Sequence, residues 1–339
     1  MIRVVTSNPF SVSVDDEAGH PSVAAGEVIL AVERVGVCGS DAHVYEGTHP
    51  YLGYPLVQGH EVVGRVIEVG LGVDSPRVGD RVVVEPTIPC GDCAACRRGR
   101  GNCCIRLGVL GITLPGGLSE AMALPATMVH DVGDLDPDVA VLVEPLAIAV
   151  HALKRAGNVR GETIVVMGAG SIGRSLIVAA LDAGARVLVA ERTPDRAELV
   201  RSLGVAICAT DEDSLRRAAI EFAGPEGPGI VIDATGSGEL IRIAVDIVAH
   251  SGSVIVVGIS QDELAIPVAL ITRKEVSILG SRNSERDFPH AIDVARRYAP
   301  ALRAMITDRI PLGEAESAFK SVLDRTSLGK VVVVVDGPR

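Results

Sequence analysis

The stretch from residue 163 to residue 191 constrains the fold of this 339-residue chain more than any other part of it. An apolar run at 163–167 is followed by Gly-Ala-Gly-Ser-Ile-Gly at 168–173, then by a helical pattern through Ala183, then by a second apolar run at 186–190. A G-x-G-x-x-G turn between a strand and a helix, closed by a second strand, is typical of a βαβ unit. The stretch therefore predicts an α/β domain with a doubly wound parallel sheet.

The glycines of this turn also indicate the ligand. They let the backbone approach a pyrophosphate at the N-terminus of the following helix. Glu191 ends the second strand, where a carboxylate accepts hydrogen bonds from ribose hydroxyls and favours NAD. Arg192 and Arg196 follow, and an arginine there can meet the 2′-phosphate of NADP, so the choice of cofactor stays open. The residues predicted to contact the dinucleotide at this turn are Gly168, Gly170, Ser171, Ile172 and Gly173.

The βα pattern continues beyond residue 191. Strands are predicted at 206–209, 229–234 and 253–258, and helices at 213–223 and 238–250. Ligands of such sheets bind outside the carboxyl ends of the strands. Backbone contacts to the nicotinamide side of the dinucleotide are therefore predicted for Thr235, Val257, Gly258 and Ile259.

The chain before residue 90 has a different pattern. Short apolar runs, such as 28–35 and 62–69, are broken by glycines and predict a β-rich domain with a barrel-like sheet. A length of 339 residues also exceeds the roughly 250–300 at which single cores stop growing. Two domains are therefore expected.

Residues 36–61 offer metal ligands. Cys38, His60 and Glu61 are sufficient for a zinc ion that keeps one coordination position open. Ser40 and His43 follow the cysteine closely and can carry a proton away from whatever binds the metal.

Glu144 is a further candidate ligand. It stands before Pro145 among apolar neighbours, where a buried carboxylate needs a partner. A metal ion or a hydrogen-bonded water would supply that partner, and the alternative is an exposed acid at a helix end.

Five of the seven cysteines lie between residues 90 and 104. The spacing C-x2-C-x2-C-x7-C predicts a closed tetrahedral zinc site, which is structural because no position is left open. Cys103 is the alternative to the last ligand, and Arg97, Arg98 and Arg100 are expected to offset the negative charge. The predicted ligands are Cys90, Cys93, Cys96 and Cys104.

The composition excludes several classes of function. A net charge of −11 argues against nucleic acid or an anionic membrane as a partner, since both require a basic surface. No apolar run reaches the roughly 18 residues of a membrane span, and the N-terminus lacks a signal-peptide pattern. A cytoplasmic protein is expected, in which the cysteines are thiolate ligands and not disulfides.

Taken together, these motifs make the chain similar to the zinc-containing medium-chain alcohol and polyol dehydrogenases. The resemblance implies a GroES-like catalytic domain at 1–147 and 287–339 and an inserted Rossmann domain at 148–286. It makes Cys38 and His60 catalytic zinc ligands and leaves the third ligand open between Glu61 and Glu144. It also implies a relay from Ser40 through the nicotinamide ribose to His43, and a homodimer or homotetramer joined near 274–282.

The resemblance also points to a reaction, in which zinc lowers the pKa of a substrate hydroxyl and hydride passes to C4 of the nicotinamide. Glutamate at 144, in place of the cysteine of common alcohol dehydrogenases, favours polyols or sugar acids. The 280–284 loop resembles that of galactonate- or idonate-oxidising enzymes. There Arg282 either pairs with a substrate carboxylate or is a surface arginine, and Asn283 stands at one position of the Arg-Tyr pair of sorbitol dehydrogenases.

Four other functions share part of this evidence. A threonine-dehydrogenase-like amino-alcohol oxidase, or a general alcohol dehydrogenase, would share every zinc and NAD motif. A zinc-free quinone or enoyl reductase would leave Cys38, His60 and the cysteine cluster without a purpose. A purely structural or binding role predicts the loss of Ser40, His60 or the glycine motif, and all of them are present.

Overall fold

The computed structural model describes residues 1–50 and 53–335. The chain divides into two units, one of Met1–Glu144 with Ala295–Arg339 and one of Pro145–Val294. The functional domain boundaries after residues 147 and 286 stay a prediction. Within the described ranges, no helix is both long enough and apolar enough to cross a membrane.

The elements are numbered in chain order. The strands are β1 Arg3–Asn8, β2 Ser11–Asp15, β3 Glu27–Val37, β4 Glu61–Val69, β5 Arg81–Val84, β6 Thr87–Ile88, β7 Gly108–Val109, β8 Ala121–Pro125, β9 Val129–Asp131, β10 Thr163–Met167, β11 Arg186–Ala190, β12 Ala206–Cys208, β13 Ile230–Asp233, β14 Ser253–Val256, β15 Ser277–Gly280, β16 Ile306–Pro311 and β17 Lys330–Val334. The helices are α1 Gly39–Glu46, α2 Ala94–Arg97, α3 Pro137–Ala140, α4 Val143–Ala156, α5 Ser171–Asp182, α6 Pro194–Arg201, α7 Glu212–Ala223, α8 Gly238–Ile247, α9 Val268–Lys274, α10 Phe288–Arg297, α11 Ala299–Ala304 and α12 Ala315–Leu323.

The unit of residues 145–294 contains a six-stranded sheet in the order β12-β11-β10-β13-β14-β15. All of its strand pairs are parallel. Its central strands are largely apolar, which is typical of parallel sheets, and Val165, Val231 and Val254 are completely buried. The strand order reverses between β10 and β13, which is where such sheets bind ligands. The predicted α/β fold class with a Rossmann-type sheet is confirmed.

The unit of residues 1–144 and 295–339 is rich in β-structure, as predicted. Its main sheet has the order β16-β17-β3-β4-β5-β9, with β8 paired to β3. The long strand β3 pairs antiparallel with β4, β8 and β17 and therefore holds the centre of the sheet. Its core residues Val28, Leu30 and Val32 are fully buried.

Strand pairing in this sheet positions the predicted metal ligands. Gly36 at the end of β3 is opposite Glu61 at the start of β4. Residues just after β3 and just before β4 therefore meet at one edge of the sheet.

Candidate active site and cofactor site

Cys38 and His60 come together at that edge. Cys38 is the N-cap residue of α1, and its backbone N–H donates to Asp41 Oδ2 at 3.0 Å. His60 Nε2 lies 3.1 Å from Cys38 Sγ, and the imidazole is 6% exposed. A thiol and a buried imidazole nitrogen therefore face the same point, as the sequence predicted.

Asp41 belongs to the same group, although the sequence analysis did not select it. The ligand atoms of Cys38, Asp41 and His60 all lie within 4.8 Å of one another. Asp41 Oδ1 lies 3.6 Å from His60 Nδ1, which is an ion-pair distance and longer than a hydrogen bond. A carboxylate at this place orients the imidazole so that Nε2 faces the thiol. Cys38 and Asp41 have the spacing of a helix capping box, and this spacing is the sequence signal that could have identified Asp41.

The group has the chemistry of a cation site. Among the described residues, Asp41 Oδ1, His60 Nδ1 and Glu61 Oε2 are buried without a hydrogen-bond partner. Burial acts to lower the pKa of His60, but the charges of Cys38 and Asp41 outweigh it and raise the pKa well above its ordinary value. Sulfur and imidazole ligands beside carboxylates fit a zinc ion.

Glu61 has a different partner from the one expected of a metal ligand. Its Oε1 accepts a hydrogen bond from Lys330 Nζ on β17, and the two side chains are each 2% exposed. A Cβ atom at Gly36 would lie 2.0 Å from Glu61 Oε2, so glycine leaves room for this carboxylate. No motif in the sequence indicated Lys330 as the partner of Glu61.

Glu144 stands in the first turn of α4 and is 8% exposed. Among the described residues, no side-chain hydrogen bond reaches its carboxylate. Burial raises its pKa to about 7, with His60 and Lys330 acting in the opposite direction. Glu144 is therefore a buried carboxyl group near the imidazole, and a cation there would keep it ionised.

The two predicted relay residues lie in different surroundings. Ser40 Oγ is 2.6 Å from Cys38 Sγ and 3.5 Å from His60 Nε2. His43 has a largely exposed side chain, and its Nδ1 lies 3.2 Å from Thr48 Oγ1. No hydrogen bond between described atoms joins Ser40 to His43, so the relay through a ribose stays a prediction.

The structure brings four of the clustered cysteines together. The sulfur atoms of Cys90, Cys93, Cys96 and Cys104 all lie within 4.8 Å of one another, and Cys103 is not part of the group. Two of the separations are 3.5 and 3.9 Å, close to the roughly 3.8 Å that tetrahedral Zn–S bonds of about 2.3 Å require. Four thiolates in this arrangement fit a closed zinc site.

The glycine-rich turn has the backbone shape that a pyrophosphate requires. Gly168 has φ of 95°, and a Cβ at Gly173 would lie 1.9 Å from Gly168 O, so the helix packs closely against the strand. A Cβ at Gly170 would meet no atom within 4 Å, which leaves open space at the N-terminus of α5. Gly170 is the N-cap of α5, and the first turn begins with Ser171 and Ile172. This arrangement fits a phosphate group held by backbone N–H groups.

Glu191 lies beside this turn, and its carboxylate accepts the N–H groups of Ala169 at 2.7 Å and Thr193 at 2.8 Å. Arg192 is exposed and Arg196 is half-buried. The sequence analysis missed Arg174, a 2% exposed guanidinium on α5. The pKa of Arg174 is lowered to about 10, mainly by burial and secondarily by the charge of Arg196. The charge of Glu191 raises it.

The carboxyl ends of β13 and β14 are joined by hydrogen bonds. Asp233 Oδ1 accepts from Thr235 N at 3.0 Å, and Asp233 O accepts from the N–H groups of Val257 and Gly258 at 2.9 and 3.1 Å. Ile259 is 89% exposed at this end of the sheet. The four residues predicted for the nicotinamide side thus lie at neighbouring strand ends.

The predicted substrate residues follow β15. Arg282 is exposed, and Asn283 is half-buried with φ of 47°, in the left-handed region. Their contact with a substrate stays a prediction.

Comparison with protein families agrees with this geometry. Residues 24–134 match the alcohol dehydrogenase GroES-like domain, and residues 171–297 match the zinc-binding dehydrogenase domain.

Individual relatives cover nearly the whole chain. L-galactonate-5-dehydrogenase of Escherichia coli K12 is 34% identical over 92% of this chain and 93% of its own. Sorbitol dehydrogenase of Bombyx mori is 33% identical over 88% of this chain and 89% of its own. A crystal structure of an alcohol dehydrogenase from E. coli CFT073 with NADH has 31% identity and a TM-score of 0.90, covering 98% of this chain and 99% of that one.

Proposed function

Because the chain belongs to the zinc-dependent medium-chain alcohol and polyol dehydrogenases, we propose that it oxidises a secondary hydroxyl of a polyol or sugar acid to a ketone with NAD. The observation that carries the proposal is the buried Glu144 carboxyl near Cys38 and His60. It stands where simple alcohol dehydrogenases have cysteine. The similarity to a galactonate dehydrogenase and a sorbitol dehydrogenase supports the same substrate class.

In this proposal Cys38, His60 and Glu144 would hold the catalytic zinc. Glu144 is favoured over Glu61 because the ammonium group of Lys330 already pairs with Glu61, whereas no described side chain donates a hydrogen bond to Glu144. Asp41 orients the His60 ring. When bound, zinc would act as a Lewis acid that lowers the pKa of the substrate hydroxyl.

Ser40 and His43 move the proton in this proposal. The Ser40 hydroxyl lies beside Cys38 Sγ and can accept the substrate proton at Oγ. His43 has an exposed ring from which a proton can pass to solvent, and a bound dinucleotide would supply ribose hydroxyls for the transfer. Proton transfer by positioned groups contributes about 10²–10⁴-fold to rates.

Glu191 favours NAD in this proposal because its carboxylate lies at the end of β11, beside the glycine turn. Arg174, Arg192 and Arg196 favour a 2′-phosphate instead. We expect a higher kcat/KM with NAD than with NADP. Glu191→Ala should lower the ratio of kcat/KM with NAD to kcat/KM with NADP. A higher kcat/KM with NADP in the unmodified enzyme would overturn the assignment of Glu191.

Substrate class is tested with a panel of polyols, aldonates, amino alcohols and simple secondary alcohols. NADH formation is followed by absorbance, with metal content measured on the same preparation. We expect the highest kcat/KM for a polyol or aldonate, and more than one zinc ion per chain. Cys38→Ser should remove activity and the catalytic zinc. A preference for an amino alcohol would replace the proposal with a threonine-dehydrogenase-like function.

Arg282 provides a finer test within the panel. If its guanidinium pairs with a substrate carboxylate, Arg282→Met should raise KM for aldonates and leave KM for uncharged polyols nearly unchanged. Equal effects on both classes would exclude the pairing. Asn283→Ala tests the neighbouring position in the same assay.

A further inference from the structure

The segment from residue 280 to residue 287, called the 280–287 segment below, is tied to α4 at both of its ends. At its start, Arg155 Nε donates to Gly280 O at 3.2 Å. At its end, the Asp287 carboxylate accepts from His151 Nδ1 at 3.0 Å and from Lys154 Nζ. Three neighbouring positions of one helix therefore hold both ends of the segment.

The anchor at Asp287 is built around a buried charge. The Asp287 side chain is 0% exposed, and His151 is 5% exposed. A buried carboxylate is costly unless it is paired and hydrogen-bonded. Here one oxygen meets Lys154, and the other accepts both His151 and the backbone N–H of Glu285 at 2.8 Å. The same carboxylate thus fixes the backbone of the segment and attaches it to α4.

The segment has a shape that needs such support. Asn283 and Arg286 have φ of 47° and 59°, a left-handed conformation that side-chain-bearing residues adopt at a cost. Ser284 is 5% exposed, so the segment also folds against the surrounding structure. Contacts at both ends stabilise a backbone that would otherwise relax.

The helix that holds the segment also carries Glu144. His151 follows Glu144 by seven positions, which is about two turns of an α-helix and about 10 Å along its axis. The two residues therefore share a face of α4.

We propose that His151, Lys154 and Arg155 are positioning residues for substrate selectivity, which hold the segment that carries Arg282 and Asn283 against helix α4. This inference rests on the proposed function, because it assigns the segment to the remote end of a polyhydroxy substrate. A polyol or aldonate has a part that extends away from the reacting hydroxyl and can contact the segment, whereas a small secondary alcohol lacks such a part.

The test uses two variants of the holoenzyme, Asp287→Asn and Arg155→Gln. Each should lower the ratio of kcat/KM for the best polyol or aldonate to kcat/KM for 2-propanol by about tenfold, which lies within the roughly 100-fold that a 1 Å misplacement can cost. The matched controls are Asp213→Asn and Arg160→Gln, which make the same changes at exposed positions of the same unit. They should keep the wild-type ratio.

Hydrogen exchange gives a second readout that does not depend on turnover. Amides of residues 281–286 should exchange faster in both variants than in the controls, while amides of β10 should be unchanged. Wild-type selectivity and wild-type exchange in both variants would overturn the inference. If Asp287→Asn does not fold, Arg155→Gln decides alone.

Failure of the proposed function gives a different result. A wild-type enzyme that oxidises no polyol or aldonate would exclude the selectivity role together with the proposed substrate class. The exchange measurement would still decide whether α4 holds the segment in place.

Discussion

Glu61 and Lys330 bury two opposite charges next to the candidate zinc ligands. Their side chains are each 2% exposed, and they are separated by 269 positions in the chain. Removing one member of a buried pair leaves the other charge uncompensated, which costs more than the pair itself contributes. The pair is therefore a sensitive point in the stability of this unit.

Replacing Lys330 tests this directly. Lys330→Met should lower the free energy of unfolding by about 3–5 kcal/mol, because Glu61 remains buried without its counter-charge. Urea unfolding followed by circular dichroism measures the change. Lys320→Met is the control, since that side chain is 55% exposed and its pairing with Glu316 is at the surface. The double variant Glu61→Gln with Lys330→Met should recover part of the loss, and a double variant as unstable as Lys330→Met would argue against the pairing.

The sequence could identify some of these residues and not others. Cys38, His60 and the four clustered cysteines were predictable because thiol and imidazole ligands have specific spacings. Lys330 was not predictable, since its role depends on β17 pairing with β3 next to Gly36. A lysine before an apolar strand carries no local signal of such a partner.

At the scale of elements, the cysteine loop offers a comparison within one chain. Cys93 lies in the group of four sulfur atoms, whereas Cys103 lies outside it. Cys93→Ser should reduce the zinc content by one ion per chain and lower the thermal midpoint, because a closed metal site contributes to folding. Cys103→Ser should change neither quantity. Metal analysis and thermal unfolding of the two variants test the assignment, and zinc loss in Cys103→Ser would contradict it.

Helix α3 is attached to the main sheet by one carboxylate. Asp138 accepts hydrogen bonds from Arg34 on β3 at 2.8 Å and from Arg309 on β16 at 2.9 Å. Burial acts to raise the pKa of Asp138, but these two arginines outweigh it, and the pKa lies below its ordinary value. A lowered folded-state pKa gives stability that is present above the unfolded-state pKa and is lost as the pH falls.

Asp138→Asn should therefore destabilise the protein in a pH-dependent way. We expect a loss of about 1–3 kcal/mol at neutral pH, which is typical of a buried charged hydrogen-bond acceptor. The difference from wild type should shrink as the pH falls below about 4, near the unfolded-state pKa of aspartate. Urea unfolding at several pH values measures it, with the exposed Asp134→Asn as control. A difference that does not change with pH would contradict the role of the charge.

The break between α3 and α4 is a boundary that the helical sequence pattern alone does not indicate. Residues 137–158 have a helical pattern, but the structure ends α3 at Ala140 and begins α4 at Val143. Proline lacks a backbone N–H and is tolerated in the first turn of a helix. Pro145 therefore fits a helix that starts just before it, and this signal was available in the sequence. Because of this break, Glu144 lies in the first turn of α4 and not in the middle of a long helix.

At the scale of the whole molecule, the unit of residues 145–294 has a sheet edge and an exposed helix at which we expect self-association. Strand β15 forms one edge of the parallel sheet, and α9 has no buried residue among those described. Val268 on α9 is 74% exposed. Exposed apolar side chains beside an open strand edge are typical of a protein–protein interface.

We expect a homodimer or homotetramer joined through this surface. Val268→Asp should shift the molar mass in solution toward the monomer, because it places a charge in an apolar contact. Light scattering coupled to size-exclusion chromatography measures the mass. Leu71→Asp is the control, since Leu71 is 86% exposed but lies in the other unit. A monomeric wild-type protein would refute the expectation.

The position of β17 has a consequence for biosynthesis. This strand lies between β16 and β3 in the main sheet, so a central part of that sheet is supplied by residues 330–334. During translation, residues 38–61, which include the candidate metal ligands Cys38 and His60, leave the ribosome long before β17 does. Residues 145–294 are also synthesised before β17. The unit of residues 145–294 can therefore fold before Lys330 has been added to the other unit. When the ribosome is stalled before residue 330, residues 145–294 of the nascent chain should resist protease, whereas residues 1–144 should be digested.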